Sequence, residues 1–316
     1  MTQRWRPDAS LATLKARAEL NRSVRAFFVE RGVLEVETPL LSTHATVDRH
    51  IDSFQTRDGR WLQTSPEFAM KRLLAAGSGP IYQIARVFRL EEQGRHHNPE
   101  FTMLEWYRPG FSMHALMDEV EALMCRLCDL TAGFERLSYC EAFERHAGFD
   151  PHAVSAASMR AAAVAADLVS AADFADEPAD FWLDLWMSRC VSPALGTAAP
   201  AFVYDFPARQ AALAQVRPGN PPLAERFELF WRGIELANGF HELADAAEQQ
   251  RRFQADQQAR REAGQVVPPY DVHLIDALAA GIPDTSGVAL GLDRVLMLKL
   301  GLPDLAQTLA FAADHA

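Results

Sequence analysis

Residues 85–107, ARVFRLEEQGRHHNPEFTMLEWY, constrain this chain most, because they read as one hairpin carrying an arginine, carboxylates, a histidine pair and aromatics. Residues 81–89 alternate in the manner of a strand, residues 92–99 are polar with Gly94 and Pro99 as breakers, and residues 101–107 alternate again. With a period of two, Arg89 and Glu91 share one face of the outgoing strand. Phe101, Met103, Glu105 and Tyr107 share one face of the returning strand. An aromatic plate and an inward carboxylate then stand near a guanidinium, a set that suits a purine, a phosphate and a cationic group bound side by side.

A length of 316 residues leaves room for two domains, but the chemistry-bearing clusters spread from Gly32 to Arg294. The chain is therefore read as one catalytic domain over 1–316 with a helical insertion at about 149–200. With 49% hydrophobic and 23% charged residues it has an ordinary globular composition, and no run is long and apolar enough to span a bilayer. The first residues do not read as a signal peptide, so a cytoplasmic location is expected. A formal net charge of −11 argues against a general nucleic-acid surface. Cys125 and Cys128 have the spacing of a metal or redox pair, but Cys140 and Cys190 supply no second close pair. The stretch around them reads better as an amphipathic helix in which cysteine is a small apolar residue.

Ser10 is placed to cap a helix that carries Leu11, Leu14, Val24, Phe27 and Phe28 and that Gly32 would end, with a strand at 33–36 after it. Residues 113–130 predict a helix, and 159–173 an alanine-rich one. Phe202, Tyr204 and Phe206 alternate as a strand, and 227–240 reads as a tight strand pair turning near 231–233. Residues 242–263 predict a charged helix whose arginines, interleaved with acids and glutamines, form a solvated face.

The 85–107 stretch resembles the second signature motif of class II aminoacyl-tRNA synthetases, an Arg-x-Glu, a loop and a Phe. Residues 97–105 are similar to the lysyl-tRNA synthetase branch. The likeness continues through 32–39, which resemble the first motif, and through 64–73, 225–243 and 287–294. The resemblance implies an α+β fold: a class II synthetase-like catalytic domain, an antiparallel sheet flanked by helices. Because the first helix and strand of that family lie at a dimer interface, it also implies a homodimer, although periodicity alone reads the helix equally as a core helix.

Adenylate formation is the implied chemistry: a carboxylate attacks the α-phosphate of ATP as pyrophosphate leaves, and catalysis is chiefly positioning and charge neutralisation. By motif position Arg89 and Arg294 are the catalytic residues. Arg89 would hold the α-phosphate and the substrate carboxylate, for which a planar fork is suited. Arg294 would meet the γ-phosphate and cover the adenine from the face opposite Phe101. The resemblance puts Glu91 by the purine amino group, His97 and Asn98 by the phosphates, and Glu235, Leu236 and Gly291 in the rest of the ATP site. Glu228 and Glu235, seven apart, can come across from each other in a hairpin, and Mg2+ shared with the ATP phosphates is the cation such a pair implies.

Substrate binding is assigned to Ser65, Pro66, Glu67, Glu105, Tyr107, Asn238, Glu242 and Ala289. Three carboxylates facing one pocket repel each other unless a dication joins them, and lysine or a lysine isomer supplies two ammonium groups. The resemblance places Glu67 at the backbone-side amine, Asn238 near the ligand carboxylate, and Glu105, Tyr107 and Glu242 around the terminal ammonium.

Lysyl-tRNA synthetases carry an N-terminal oligonucleotide-binding barrel that reads the anticodon. Here the first motif begins by Gly32, so neither an anticodon-binding barrel nor anticodon reading of tRNA is expected. The pattern is similar to the truncated lysyl-tRNA synthetase paralogues that attach (R)-β-lysine to a lysine of elongation factor P. That resemblance implies elongation factor P as partner, β-lysine as substrate, and AMP released when the target ε-amine attacks the adenylate. Ala289 stands where lysyl-tRNA synthetases generally have glycine, and its methyl would narrow the pocket floor in favour of β-lysine over α-lysine. Leu90 replaces a family asparagine, and strand alternation turns it away from Arg89. Two other readings stay open: a stand-alone lysine-activating enzyme charging tRNA or another carrier, and an inert regulatory subunit on the same fold. Retention of Arg89, Glu91, Glu228, Glu235 and Arg294 speaks against the second.

Overall fold

The computed structural model describes residues 5–90, 92–170, 174 and 177–316. In chain order the strands are β1 (Leu34–Glu35), β2 (Leu41–Ser42), β3 (Trp61–Leu62), β4 (Ile81–Phe88), β5 (Glu100–Pro109), β6 (Glu135–Ser138), β7 (Ala201–Pro207), β8 (Val216–Arg217), β9 (Leu223–Trp231), β10 (Ile234–His241) and β11 (Thr285–Gly291). The described residues fall into two compact units. One draws on 1–112, 122–130 and 243–316, the other on 113–121 and 131–242.

In the first unit the strands run β1-β4-β5-β11, with β1 parallel to β4 and the other pairs antiparallel. The predicted hairpin is β4–β5. One side of these strands is sealed by Phe28 of the helix Leu11–Val29, which stacks on Tyr82 with ring centroids 4.4 Å apart and meets Trp106 edge-on at 5.4 Å. All three rings are buried, and burial of each contributes roughly 1.5–3 kcal/mol. Ser10 caps that helix as expected, its Oγ accepting the Thr13 amide at 3.1 Å, and the helix ends at Val29, three residues before Gly32. Asp293, in the first turn of the helix Leu292–Leu300, accepts the Thr102 amide of β5 at 2.7 Å and Arg17 Nη2 at 2.5 Å. Arg17 also donates to the Thr308 carbonyl. Three distant segments are thereby locked beside Arg294.

The charged helix runs Ala246–Glu262 rather than from 242, because Asp245 caps it by accepting the Glu248 amide at 2.9 Å. Its solvated face holds for Arg251, which pairs with Glu248; Arg252 pairs with the same carboxylate but is largely buried. It fails at Arg260, which is 1% exposed.

In the second unit the order is β10-β9-β7-β6 with β8 on β9. The β10–β9, β9–β7 and β9–β8 pairs are antiparallel and β6–β7 is parallel. Parallel neighbours need a long crossover, and the helices Tyr139–His146, Ala156–Ala165 and Ala179–Trp186 supply it. Phe143, Met159, Trp182, Trp186, Phe206 and Phe230 share its core. The alanine-rich helix differs from the predicted 159–173. Ser155 starts it by accepting the Ser158 amide, and the backbone turns left-handed at Asp167, φ 58°. Residues 171–173 lie outside those described.

The predicted strand pair is β9–β10, closed by Arg232 and Gly233 at φ 52° and 76°. Two left-handed residues match the twist of a two-residue hairpin, and a Cβ on Gly233 would come 3.1 Å from Pro193 Cα. The whole is α+β and predominantly antiparallel, with helices flanking the strands. No sheet among the described residues closes into a barrel.

Candidate functional site

The face of β4, β5 and β11 opposite Phe28 follows from register. Gln83 pairs with Glu105, which pairs with Ala289, and Tyr107 pairs with Gly287. Cross-strand partners point the same way. Val87, Phe101, Met103, Glu105, Tyr107, Ala289 and Gly291 therefore line one surface, and Phe101 and Ala289 pack against Ala85, Val87 and Met103. Glu105 is 2% exposed, and its two oxygens accept the Tyr107 and Ser65 hydroxyls, each at 2.7 Å. Ser65 Oγ also accepts the Glu67 amide at 2.9 Å, so one hydroxyl joins the two carboxylate-bearing segments. Pro66 sits at the N-cap of the helix Glu67–Ala75.

Sequence reasoning treated Glu67 as awaiting a ligand amine, but the chain supplies a cation of its own. Lys71, buried at 1% exposure, donates Nζ to Glu67 Oε1 at 2.7 Å. The i,i+4 Glu–Lys spacing was the available signal. Gln83 was also missed. It is buried in register with Glu105, its Oε1 accepting the Thr38 hydroxyl at 3.0 Å.

At the loop end of the hairpin, Arg89 donates to Glu92 Oε1 at 3.0 Å, and its guanidinium carbon lies 5.2 Å from the centre of the Phe101 ring. Arg294 donates to the His96 carbonyl at 3.2 Å, and its Nη2 is 2.7 Å from His97 Nε2. Gly291 caps the helix that carries Arg294. Glu91 lies outside the described residues. Asn98 is braced by backbone: its amide donates to the Glu100 carbonyl at 2.6 Å and accepts the Ala313 amide at 3.0 Å, which holds the loop. Leu90 is 46% exposed, which fits a side chain turned away from Arg89.

In the second unit the register corrects the expected pairing of Glu228 with Glu235. Asn238 stands opposite Glu228, and Glu235 stands opposite Phe230, with a shift in register between Glu235 and Ala237. This bulge at Leu236, which is buried, returns Glu235 and Asn238 to the face of Glu228 although they are three residues apart. Arg226 Nη2 donates to Glu228 Oε1 at 2.5 Å, and Asn238 Nδ2 lies 3.4 Å from the same oxygen. Burial pushes the Glu228 carboxyl up to about 7; Arg226 opposes the shift and the Glu235 charge adds to it. Glu242 lies beyond β10, 2% exposed, in a bridge with Ala214.

Known proteins supply an independent comparison. The family model for tRNA synthetases class II (D, K and N) matches residues 2–315. A Salmonella dublin protein named elongation factor P--(R)-beta-lysine ligase is 49% identical over 324 residues, covering 100% of this chain and 99% of that protein. Proteins of the same name from Enterobacter sp. (strain 638) and Salmonella heidelberg (strain SL476) match to the same extent.

Proposed function

Because the chain belongs to the class II tRNA synthetases, we propose that it is an ATP-dependent ligase that activates (R)-β-lysine and transfers it to a lysine of elongation factor P. The acceptor and the amino-acid isomer come from the names of relatives that match it end to end. The structural observation that carries a lysine-type substrate is Glu105, a buried carboxylate held at both oxygens by the Ser65 and Tyr107 hydroxyls. Such a group faces an ammonium without side-chain reorganisation, and the Glu67–Lys71 pair sets the charge beside it.

In the first half-reaction a carboxylate oxygen of β-lysine attacks the α-phosphorus of ATP, and the bond to pyrophosphate breaks. Arg89 and Arg294 offset the phosphate charge, Phe101 stacks on the purine, and His97 serves the phosphates through its contact with Arg294. In the second, the acceptor ε-amine attacks the carbonyl carbon of the mixed anhydride, an amide forms, the amine loses a proton and AMP leaves. Glu105 and Tyr107 hold the terminal ammonium through both steps.

Glu228 and Glu235 fit a divalent cation. They share a face, and the Glu228 carboxyl, raised by burial and further by the Glu235 charge, gains when a cation joins Arg226 beside it. Bound there, Mg2+ would supply neutralising charge for phosphate oxygens.

We also propose that 1–316 works as one catalytic domain, with the helical stretch at about 149–200 an insertion in it. The working form is a cytoplasmic homodimer. The exposed Leu11, Val29 and Leu34, on the first helix and the strand after it, support the dimer. No helix among the described residues is long and apolar enough to cross a membrane.

Pyrophosphate exchange with α- and β-lysine, followed by transfer of labelled amino acid to elongation factor P or to tRNA, tests the proposal. Exchange that prefers β-lysine, with label on elongation factor P, is expected. Label on tRNA alone would replace it with the stand-alone charging reading, and no exchange with either isomer would point to an inert subunit.

A further inference from the structure

We propose that Arg260 is a positioning residue for the Arg89 phosphate contact, acting through Asp52 and the backbone of Leu90; the proposal rests on the adenylation reading of Arg89. All the groups involved belong to the first unit. The Arg260 guanidinium is 1% exposed and has an acceptor for each of its five N–H bonds. Nε donates to the Val47 carbonyl at 3.1 Å. Nη1 donates to Asp52 Oδ1 at 2.9 Å and to the Val266 carbonyl at 3.0 Å. Nη2 donates to the Asp48 carbonyl at 2.5 Å and to the Ile51 carbonyl at 2.6 Å.

Residues 47–52 lie between β2 and β3 and belong to no strand. Their carbonyls need partners that a sheet ladder does not give, and Arg260 provides them at three positions. A lysine at 260 would bring three donors on one atom and could not span acceptors on both sides of a planar fork.

The segment held this way reaches the site in one further bond. Asp52, whose carboxylate is on Arg260, accepts the Leu90 amide at its carbonyl, 2.9 Å away. The Arg89 amide donates to the Pro99 carbonyl, also at 2.9 Å. The Arg89–Leu90 step is thus clamped between the returning strand and the Arg260 hub. On the same side the Phe88 amide donates to the Gln63 carbonyl at 2.9 Å and Arg89 Nε to the Thr64 carbonyl at 3.4 Å, so the Leu90–Asp52 bond is the contact that ties the step to the Arg260 hub. A misplacement of about 1 Å at a transition-state contact costs about a hundredfold in rate. Arg260 therefore acts on the step in which the α-phosphate is attacked, through the placement of Arg89.

The test uses the full-length protein and the variants Arg260→Lys, Asp52→Asn, Arg89→Ala and Arg260→Lys with Arg89→Ala. Exchange rates are expressed per active site, titrated by the adenylate burst, and the hydrogen exchange of the Leu90 amide is followed in parallel. Arg260→Lys and Asp52→Asn should each lower the per-site kcat about ten- to a hundredfold and speed Leu90 amide exchange. Adding Arg260→Lys to Arg89→Ala should cause little further loss, because the one acts through the other. An unchanged per-site kcat, or fully additive losses in the double variant, overturns the proposal. A purely structural role would lower the melting temperature and the active fraction alone. If the parent shows no exchange with either lysine isomer, the adenylation reading fails instead, and the Leu90 amide still decides whether the link exists. Should Arg260→Lys not fold, Asp52→Asn carries the same decision.

Discussion

Replacing Glu105 by glutamine isolates one charge in a site whose geometry the amide can keep. The carboxylate is 2% exposed and receives two hydroxyls at 2.7 Å. Glutamine can accept one of these hydroxyls and donate to the oxygen of the other, so both contacts survive in neutral form. Each bond loses its charge assistance, about 1 kcal/mol apiece. A loss of about 2 kcal/mol should lower the melting temperature by about 4 °C. The substrate loses much more. Truncating one partner of a desolvated charge pair costs about 2–5 kcal/mol, which is roughly a thirty- to four-thousandfold loss of affinity for β-lysine at 1.4 kcal/mol per factor of ten. ATP binding, assigned to Arg89, Phe101 and Arg294 in the proposal, should change by less than about threefold. Calorimetric titration with each ligand separately, checked against a melting curve, reads both numbers. Equal losses for β-lysine and ATP, or an unaltered β-lysine affinity in a folded variant, would refute the assignment of Glu105 to the ammonium.

Arg294→Ala should cut pyrophosphate exchange about a hundredfold or more, the scale for deleting one preorganised charge-stabilising donor; near-normal exchange by a folded variant counts against its role. Ala289→Gly, next to Glu105 in register, should move the isomer preference roughly ten- to two-hundredfold toward α-lysine, since one methyl-sized contact is worth about 1–3 kcal/mol. An unchanged ratio of exchange rates would place the isomer choice at Glu67 or Ser65. Asp256 titrates high: burial first, then the Asp48 charge, pushes its carboxyl from 3.8 to about 6. A raised carboxyl contributes stability that is full below the unfolded pKa and lost as pH rises through the folded one. Asp256→Asn should therefore stabilise the protein by about 1 kcal/mol at pH 8, after discounting for partial exposure, and make little difference near pH 4. Melting curves at the two pH values check this.

The β4–β5 hairpin was legible because alternation and the breakers Gly94 and Pro99 act locally, and the same holds for the Ser10 cap and the turn at Arg232 and Gly233. Alanine favours a helix wherever it occurs, so composition could not mark where the run after Ser155 stops. The backbone of Asp167 marks it. A bulge leaves no trace in a hydrophobic pattern, so the offset between Glu228 and Glu235 had to come from the register. Asp293 and Arg17 are joined across 276 positions, and Arg260 reaches 208 positions back to Asp52. No local pattern ties such pairs together. Motif likeness pointed to the residues expected to meet the ligands, while those that brace them, Lys71, Gln83 and Arg260 among them, became visible only with coordinates. Asn98, expected by the phosphates, is a brace as well, since each of its amide atoms also meets backbone.

The brace at Asn98 also sets a schedule for biosynthesis. Its acceptor contact comes from Ala313, and the neighbouring Arg95 carbonyl accepts the amide of Leu305. A ribosome adds those residues after every residue of the site. At about 5–20 residues per second, the loop bearing His97 waits roughly 10 to 40 s between its own synthesis and that of its last clamp. Through that interval the nascent polypeptide already contains Arg89 and Phe101 but lacks the fastening that holds His97 beneath Arg294. A product released short of Leu305 would lack both fastenings, and the loop that carries His97 would go without its C-terminal clamp.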